Sequence, residues 1–125
     1  MQTDQDKLEV MWKLQDEFMK LLSKKRTFPQ YPVDLVTKKG QQELRTISYH
    51  CMQEIFEAIQ HLKNSKEHRA TNVSEFDRSN FVEELCDAQH FLIELLIMAG
   101  VTADEFFSVY VNKHAVNVDR IENGY

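Results

Sequence analysis

Glycine, proline and cysteine are all scarce: three, two and two in 125 residues. Few breakers leave little room for a sandwich or barrel of short strands joined by tight turns. Cys51 and Cys86 are too few and too scattered for a disulfide framework or a zinc ribbon, and each falls among apolar helix positions, where a buried, reduced thiol is expected. Long apolar runs are missing as well. Nothing approaches the roughly 20 residues that span a bilayer, and the opening Met1-Gln-Thr-Asp lacks the basic and apolar regions of a signal peptide. A cytoplasmic, intracellular protein that does not engage a membrane is expected. Basic excess is lacking too, since 20 acids outnumber 15 bases and give a net charge of −5. That balance argues against a nucleic-acid-gripping surface but not against a small phosphorylated ligand held through metal.

What is present is helical periodicity. A chain of this length is expected to form one domain, residues 1–125. The first helix is expected from about Asp4 to Ser23, with Leu8, Met11, Trp12, Gln15, Phe18, Met19 and Leu22 on one stripe. Gln15 is the polar member of that stripe, either a satisfied interior amide or a ligand contact, and Trp12 reads as core. A long connector from Lys24 to Gly40 carries Phe28, Tyr31 and both prolines, and suits packing over a site or a partner. The second helix, about Gln41 to Lys63, places Leu44, Ile47, Ser48, Cys51, Ile55, Ala58, Ile59 and Leu62 on its stripe. A polar loop over 64–78 follows. The third helix begins near Ser79, carries Phe81, Val82, Leu85, Ala88, Phe91, Leu92, Leu95, Leu96 and Ala99, and stops at Gly100. Thr102-Ala-Asp-Glu105 reads as a capping box opening a fourth helix toward Arg120.

Two carboxylate couples stand out: Glu54-Ile-Phe-Glu57 and Glu84-Leu-Cys-Asp87. The three-residue spacing puts each couple on one helical face, and Glu54, Glu57, Glu84 and Asp87 each precede a stripe residue by one position. The couples therefore occupy equivalent edges of two core helices that can face each other in a bundle. Four converging acids repel unless a cation lies among them. Hard oxygen ligands suit Mg²⁺, with Mn²⁺ as the alternative, and such ions bind polyphosphates and assist displacement at phosphorus. On the fourth helix Tyr110, Lys113, Asn117 and Arg120 recur at steps of three, four and three, a polar, cationic stripe able to hold phosphate oxygens. The blander alternatives are solvated charge for the acids and dipole complementation for the bases. A di-iron site using Asp87 and His90 lacks the matching Glu-x-x-His on the second helix. His61, His68 and His114 read as surface or packing residues.

Glu-x-x-Glu, a gap, then Glu-x-x-Asp resembles the signature of the all-α nucleoside triphosphate pyrophosphatases, which include MazG-like enzymes and dimeric, phage-type dUTPases. Glu84-Leu-Cys-Asp-Ala-Gln-His-Phe-Leu-Ile-Glu-Leu resembles the acid-bearing helix of the dUTPase and dCTPase branch. Tyr110, Lys113, Asn117 and Arg120 followed by Gly124-Tyr125 resemble its phosphate-binding tail. The resemblance implies an all-α bundle of four to five helices, and a four-helix chain this short with a long connector has an apolar face to spare, so a homodimer or homotetramer is expected. It implies Mg²⁺ ligation and catalysis by Glu54, Glu57, Glu84 and Asp87, phosphate contacts from Lys113, Asn117, Arg120 and Tyr125, and base recognition by Gln15. The implied reaction is hydrolysis of a deoxynucleoside triphosphate, dUTP first and dCTP second, to the monophosphate and pyrophosphate. The phage-type relatives imply a phage gene expressed in a bacterial host. Relatives often carry an aromatic just after the first acid helix; Leu62-Lys-Asn-Ser65 has none, so stacking on the base is expected from Trp12, Phe28 or Tyr31. A broader MazG-like activity and a non-catalytic helical module are the alternatives.

Overall fold

The computed structural model describes residues 6–124. Over that range the chain is all α: α1 spans Lys7–Lys25, α2 Lys38–Ile59, α3 Arg78–Met98 and α4 Ala103–Glu122, with no strand and no fifth helix among the described residues. The expected start at Asp4 and the phosphate contact expected from Tyr125 both lie outside the described residues. No helix is long and apolar enough to cross a membrane.

Each helix starts where a short oxygen-bearing side chain takes up an orphan backbone donor. Asp6 accepts from the N–H groups of Leu8 and Glu9, Thr37 from Gly40, Asp77 from Asn80, and Thr102 from Glu105. Gly40 falls inside the first turn of α2 rather than ending the connector. A Cβ there would collide with the backbone carbonyl of Asp34, which passes over that turn, so only glycine lets the connector close on the helix. At the far end of α3, Gly100 adopts φ +80°, and its N–H and that of Val101 return to the carbonyls of Ile97 and Leu96.

α2 and α3 form the main pair; α1 packs against α3, and α4 approaches α1 most closely. The core joins Trp12, Ile93 and Ala103, with Leu8, Leu96, Ile97 and Phe106 against them. Trp12 packs its ring 5.7 Å from Phe106 and donates its Nε1–H to the Val101 carbonyl at 3.1 Å, so its apolar body and its polar tip are both satisfied. The connector folds onto the chain's own framework. Tyr31 donates its hydroxyl to Asp16 at 2.8 Å, and the Val33 N–H reaches the Met98 carbonyl.

The inner faces keep most of the expected stripes but depart from them around the acid couples. On α2, Leu44, Ile47, Ser48, Cys51, Glu54 and Ala58 turn inward to varying depth, whereas Ile55, Phe56 and Ile59 are exposed. On α3, Phe81, Glu84, Asp87 and Ala88 turn inward, and Val82 and Leu85 are exposed. The second half of α3 is apolar all round because it meets both α1 and α2, and its deepest residues are Ile93, Glu94 and Met98 rather than Leu92 and Leu95. From Phe107 to Gly124 every residue is exposed.

Candidate active site

Departure from the stripes changes the setting of the acids. Rather than rimming a covered apolar face, Glu54, Glu84 and Asp87 are half-buried on the facing surfaces of α2 and α3, and Glu57 sits at the exposed side. All four meet electrostatically at Glu54. A hydrogen bond donated to Glu57, burial, and the charges of Glu57, Asp87 and Glu84 together push its carboxyl from 4.5 up to about 7. Like charges brought this close are relieved by retaining a proton.

Glu84 carries a second sign of the same frustration. Its Oε2 is shut off from solvent and accepts no hydrogen bond. The nearest cationic group is His61, whose Nε2 lies 2.8 Å away and forms an ion pair when the ring is protonated. His61 was expected as a surface or packing residue on a helix running to Lys63. Instead α2 ends at Ile59, and the N–H groups of Gln60, His61 and Leu62 bond back to the carbonyls of Glu57, Ala58 and Ile59, a tightened turn that swings the imidazole toward α3. A histidine one turn beyond an acid couple was the available signal.

Among the described residues, no three acidic, histidine or cysteine side chains close on one point as a ready-made metal cage. The donor set nevertheless suits a hard divalent cation. It is all oxygen, it includes a buried acceptor without a hydrogen bond, and its crowding helps push the Glu54 carboxyl up to about 7. Glu54, Glu57, Glu84 and Asp87 are the residues that would hold such an ion, after side-chain rotation.

Beside the acids opens a cavity of about 730 Å³, lined by Met11, Leu14, Gln15 and Phe18 of α1, Glu54 of α2, and Cys86, Asp87, Gln89, His90, Phe91, Ile93 and Glu94 of α3. That volume falls within the range of small-molecule sites. Glu54 and Asp87 line it together with the amide of Gln15, whose Nε2–H donates to Glu94 Oε1 at 3.2 Å. Gln15 is thus both a satisfied interior amide and a cavity wall. Trp12, Phe28 and Tyr31, the expected stacking platforms, are not among the lining residues; the aromatics there are Phe18 and Phe91. Cys86 is also corrected: it is exposed, not buried, because the face of α3 next to Leu85 has no cover within the chain. Cys51 keeps the expected inward position and donates its thiol to the Ala88 carbonyl.

Lys113, Asn117 and Arg120 are exposed on α4. Since α4 joins the rest of the chain through the core at its N-terminal end, around Ala103 and Phe106, and makes no close approach to α2, the packing within one chain does not bring this stripe beside the acids.

The fold and cluster define an all-α protein with facing acid couples next to a ligand-sized cavity. Over 61 residues the chain is 33% identical to the dCTP pyrophosphatase of Enterobacteria phage T4, a match that takes in 49% of this chain and 36% of that protein. The chain thus aligns with only about a third of the length of this curated relative. No family model matches the chain, and no solved structure matches it.

Proposed function

We propose that this chain is a Mg²⁺-dependent pyrophosphohydrolase of deoxypyrimidine nucleoside triphosphates, the whole of residues 1–125 serving as one catalytic domain inside the cell. The observation that carries this reading is the meeting of four acids from α2 and α3 at the edge of a nucleotide-sized cavity. Partial similarity to a dCTP pyrophosphatase supports the same class of reaction.

Glu54, Glu57, Glu84 and Asp87 would hold Mg²⁺, which when bound supplies neutralisation of the triphosphate's charge and polarisation of the attacking water. The acids keep that water and the scissile bond, between the α- and β-phosphates, in register. One of the four accepts the water's proton. The apolar walls from Met11, Leu14, Phe18 and Phe91 enclose the base and exclude solvent from it.

The β- and γ-phosphates need cationic partners. Lys113, Asn117 and Arg120 have that chemistry but are not brought beside the acids by packing within one chain, so we assign them to the site of a second copy of the chain. Support comes from the apolar residues left exposed on three helices: Ile55, Phe56 and Ile59 on α2, Val82 and Leu85 on α3, and Phe107, Val111 and Ile121 on α4. Uncovered surface of this kind marks an interface, and a homodimer or homotetramer would cover it.

The test is a panel of ribo- and deoxynucleoside triphosphates with Mg²⁺, followed by separate detection of pyrophosphate and orthophosphate. Pyrophosphate release, fastest from a deoxypyrimidine, is expected. Orthophosphate alone, or no turnover of any nucleotide, would overturn the proposal.

A further inference from the structure

The acids stand between two cavities. On α3, the residues lining the large cavity begin at Cys86 and run toward the end of the helix, and Glu54 and Asp87 line it with them. On the other side of Glu84, toward the start of α3, opens a second cavity of about 390 Å³, lined by His61, Lys63, Glu75, Phe76 and Asp77. It has roughly half the volume of the first, and four of its five lining side chains are polar or charged.

Chain connectivity fixes this placement. The segment over 60–77 leaves α2 within a turn of Glu57 and enters α3 at Asp77, seven residues before Glu84, which is two turns or about 10 Å along the axis. His61 forms the partition: it lines the small cavity while its Nε2 stands 2.8 Å from Glu84 Oε2. Lys63, two residues on, is exposed and forms no ion pair among the described residues. Of the two acids in the wall, Asp77 is already engaged, accepting from the Asn80 N–H at 3.1 Å and from its side-chain amide at 2.7 Å. Those bonds, with the charges of His61 and Lys63, hold its carboxyl below the usual range, so His61 and Lys63 both lie close to it. Glu75 is the acid left to oppose an entering anion.

A cavity this polar, next to the acid cluster and apart from the apolar one, suits the charged end of a substrate and not its base. Cleavage between the α- and β-phosphates divides a triphosphate into a nucleoside monophosphate and pyrophosphate, and two cavities of unequal size flank the acids that would cleave it. We infer that the small cavity receives the pyrophosphate half, with Lys63 as its cationic partner. An ammonium is a compact charge with three donors on a flexible stem, able to follow phosphate oxygens from bound substrate to departing product. His61 walls the passage beside Glu84. Because Lys63 belongs to the same chain as the acids, it serves the β- and γ-phosphates without a second copy, and the α4 stripe of a partner adds to it. This assignment rests on the acids being the site of triphosphate cleavage.

Calorimetry with inorganic pyrophosphate in the presence of Mg²⁺, run beside dCMP, tests it. Lys63→Gln should weaken pyrophosphate binding roughly tenfold and leave dCMP binding unchanged, whereas Glu75→Gln should tighten pyrophosphate a fewfold by removing the opposing charge. In turnover, Lys63→Gln should raise KM for the triphosphate and relieve inhibition by added pyrophosphate. Lys63 is exposed, so the substitution leaves the fold intact. No pyrophosphate binding by the wild type, an unchanged affinity in Lys63→Gln, or an equal loss for dCMP would overturn the inference. Loss of pyrophosphate binding in Lys113→Gln but not in Lys63→Gln would hand the role to the α4 stripe and overturn Lys63. If Lys63→Gln weakens pyrophosphate as expected while no nucleotide is turned over, the anion cavity is upheld and the proposed reaction fails.

Discussion

His61 Nε2 lies 2.8 Å from Glu84 Oε2, an oxygen that is otherwise cut off from solvent and accepts no hydrogen bond. An imidazole in this position shares Glu84 with any cation that enters. Replacing His61 by Ala should therefore strengthen Mg²⁺ binding severalfold, measured by calorimetry, and should lower the stability of the metal-free protein by about 1 kcal/mol or less, since the pair is only partly buried. Weaker Mg²⁺ binding in His61→Ala would show that the ring supports the metal site instead of competing for it.

Glu84→Gln removes the charge but keeps the shape. Turnover should fall by roughly 10²-fold or more, while the helical circular dichroism is unchanged. Metal-free stability should hold or rise, because the amide relieves repulsion among the clustered acids. Full activity in this variant would sink the assignment of Glu84.

Glu54 makes stability depend on pH in a defined direction. Its carboxyl titrates near 7 when folded against 4.5 as the ordinary value, raised first by the hydrogen bond to Glu57 and then by burial and the neighbouring acids. The folded state therefore binds this proton more tightly than the unfolded chain does. Its contribution is complete below about 4.5 and is lost as pH rises through about 7. Urea midpoints of the metal-free protein should fall across that window, Glu54→Gln should flatten the decline, and Mg²⁺ at pH 8 should restore stability to the wild type. A profile that rises over the same range would contradict the cluster.

Trp12 joins α1 to α4 through its ring contact with Phe106 and ties its indole to Val101. Trp12→Phe should cost about 1 kcal/mol for the lost hydrogen bond, and Trp12→Ala about 3–5 kcal/mol, both read from denaturant unfolding. Equal losses in the two variants would mean that the bond to Val101, not ring packing, dominates.

Gly40→Ala should destabilise by about 1–3 kcal/mol although alanine is the better helix former, because the added methyl meets the Asp34 carbonyl in the first turn of α2. A neutral or stabilising result would show that the connector yields easily.

The four helices were legible because period, caps and breakers agree: Thr102 before Glu105, and Gly100 after the apolar run of α3, mark real ends. The inward faces were legible for most stripe positions, such as Trp12, Met19, Ile47 and Ala88, but not around the acid couples. Ile55 and Leu85 are as apolar as any core residue, and a single chain does not state that such residues are left for another surface while Glu54 and Glu84 turn in. The acid couples were visible from spacing alone, as was Gln15. His61 and Glu94 were not, for different reasons. His61 depends on α2 ending early, a boundary set by a few i−3 hydrogen bonds. Glu94 had a signal, a lone acid within Phe91-Leu92-Ile93-Glu94-Leu95-Leu96-Ile97, whose meaning required the amide that approaches from α1.

Exposure of α4 from Phe107 onward has a thermodynamic consequence. With little burial to hold it, that stretch depends largely on local helix-forming tendency, and Val109, Val111, Val116, Val118 and Ile121 are β-branched residues that disfavour the helix by a few tenths of a kcal/mol each. The segment is therefore a separate cooperative unit in an isolated protomer, opening at a lower free energy than the α2–α3 pair. Its amide protons should exchange earlier than those of α2 and α3, read by hydrogen exchange, so that the helix bearing Lys113 and Asn117 is the first part of the fold to open.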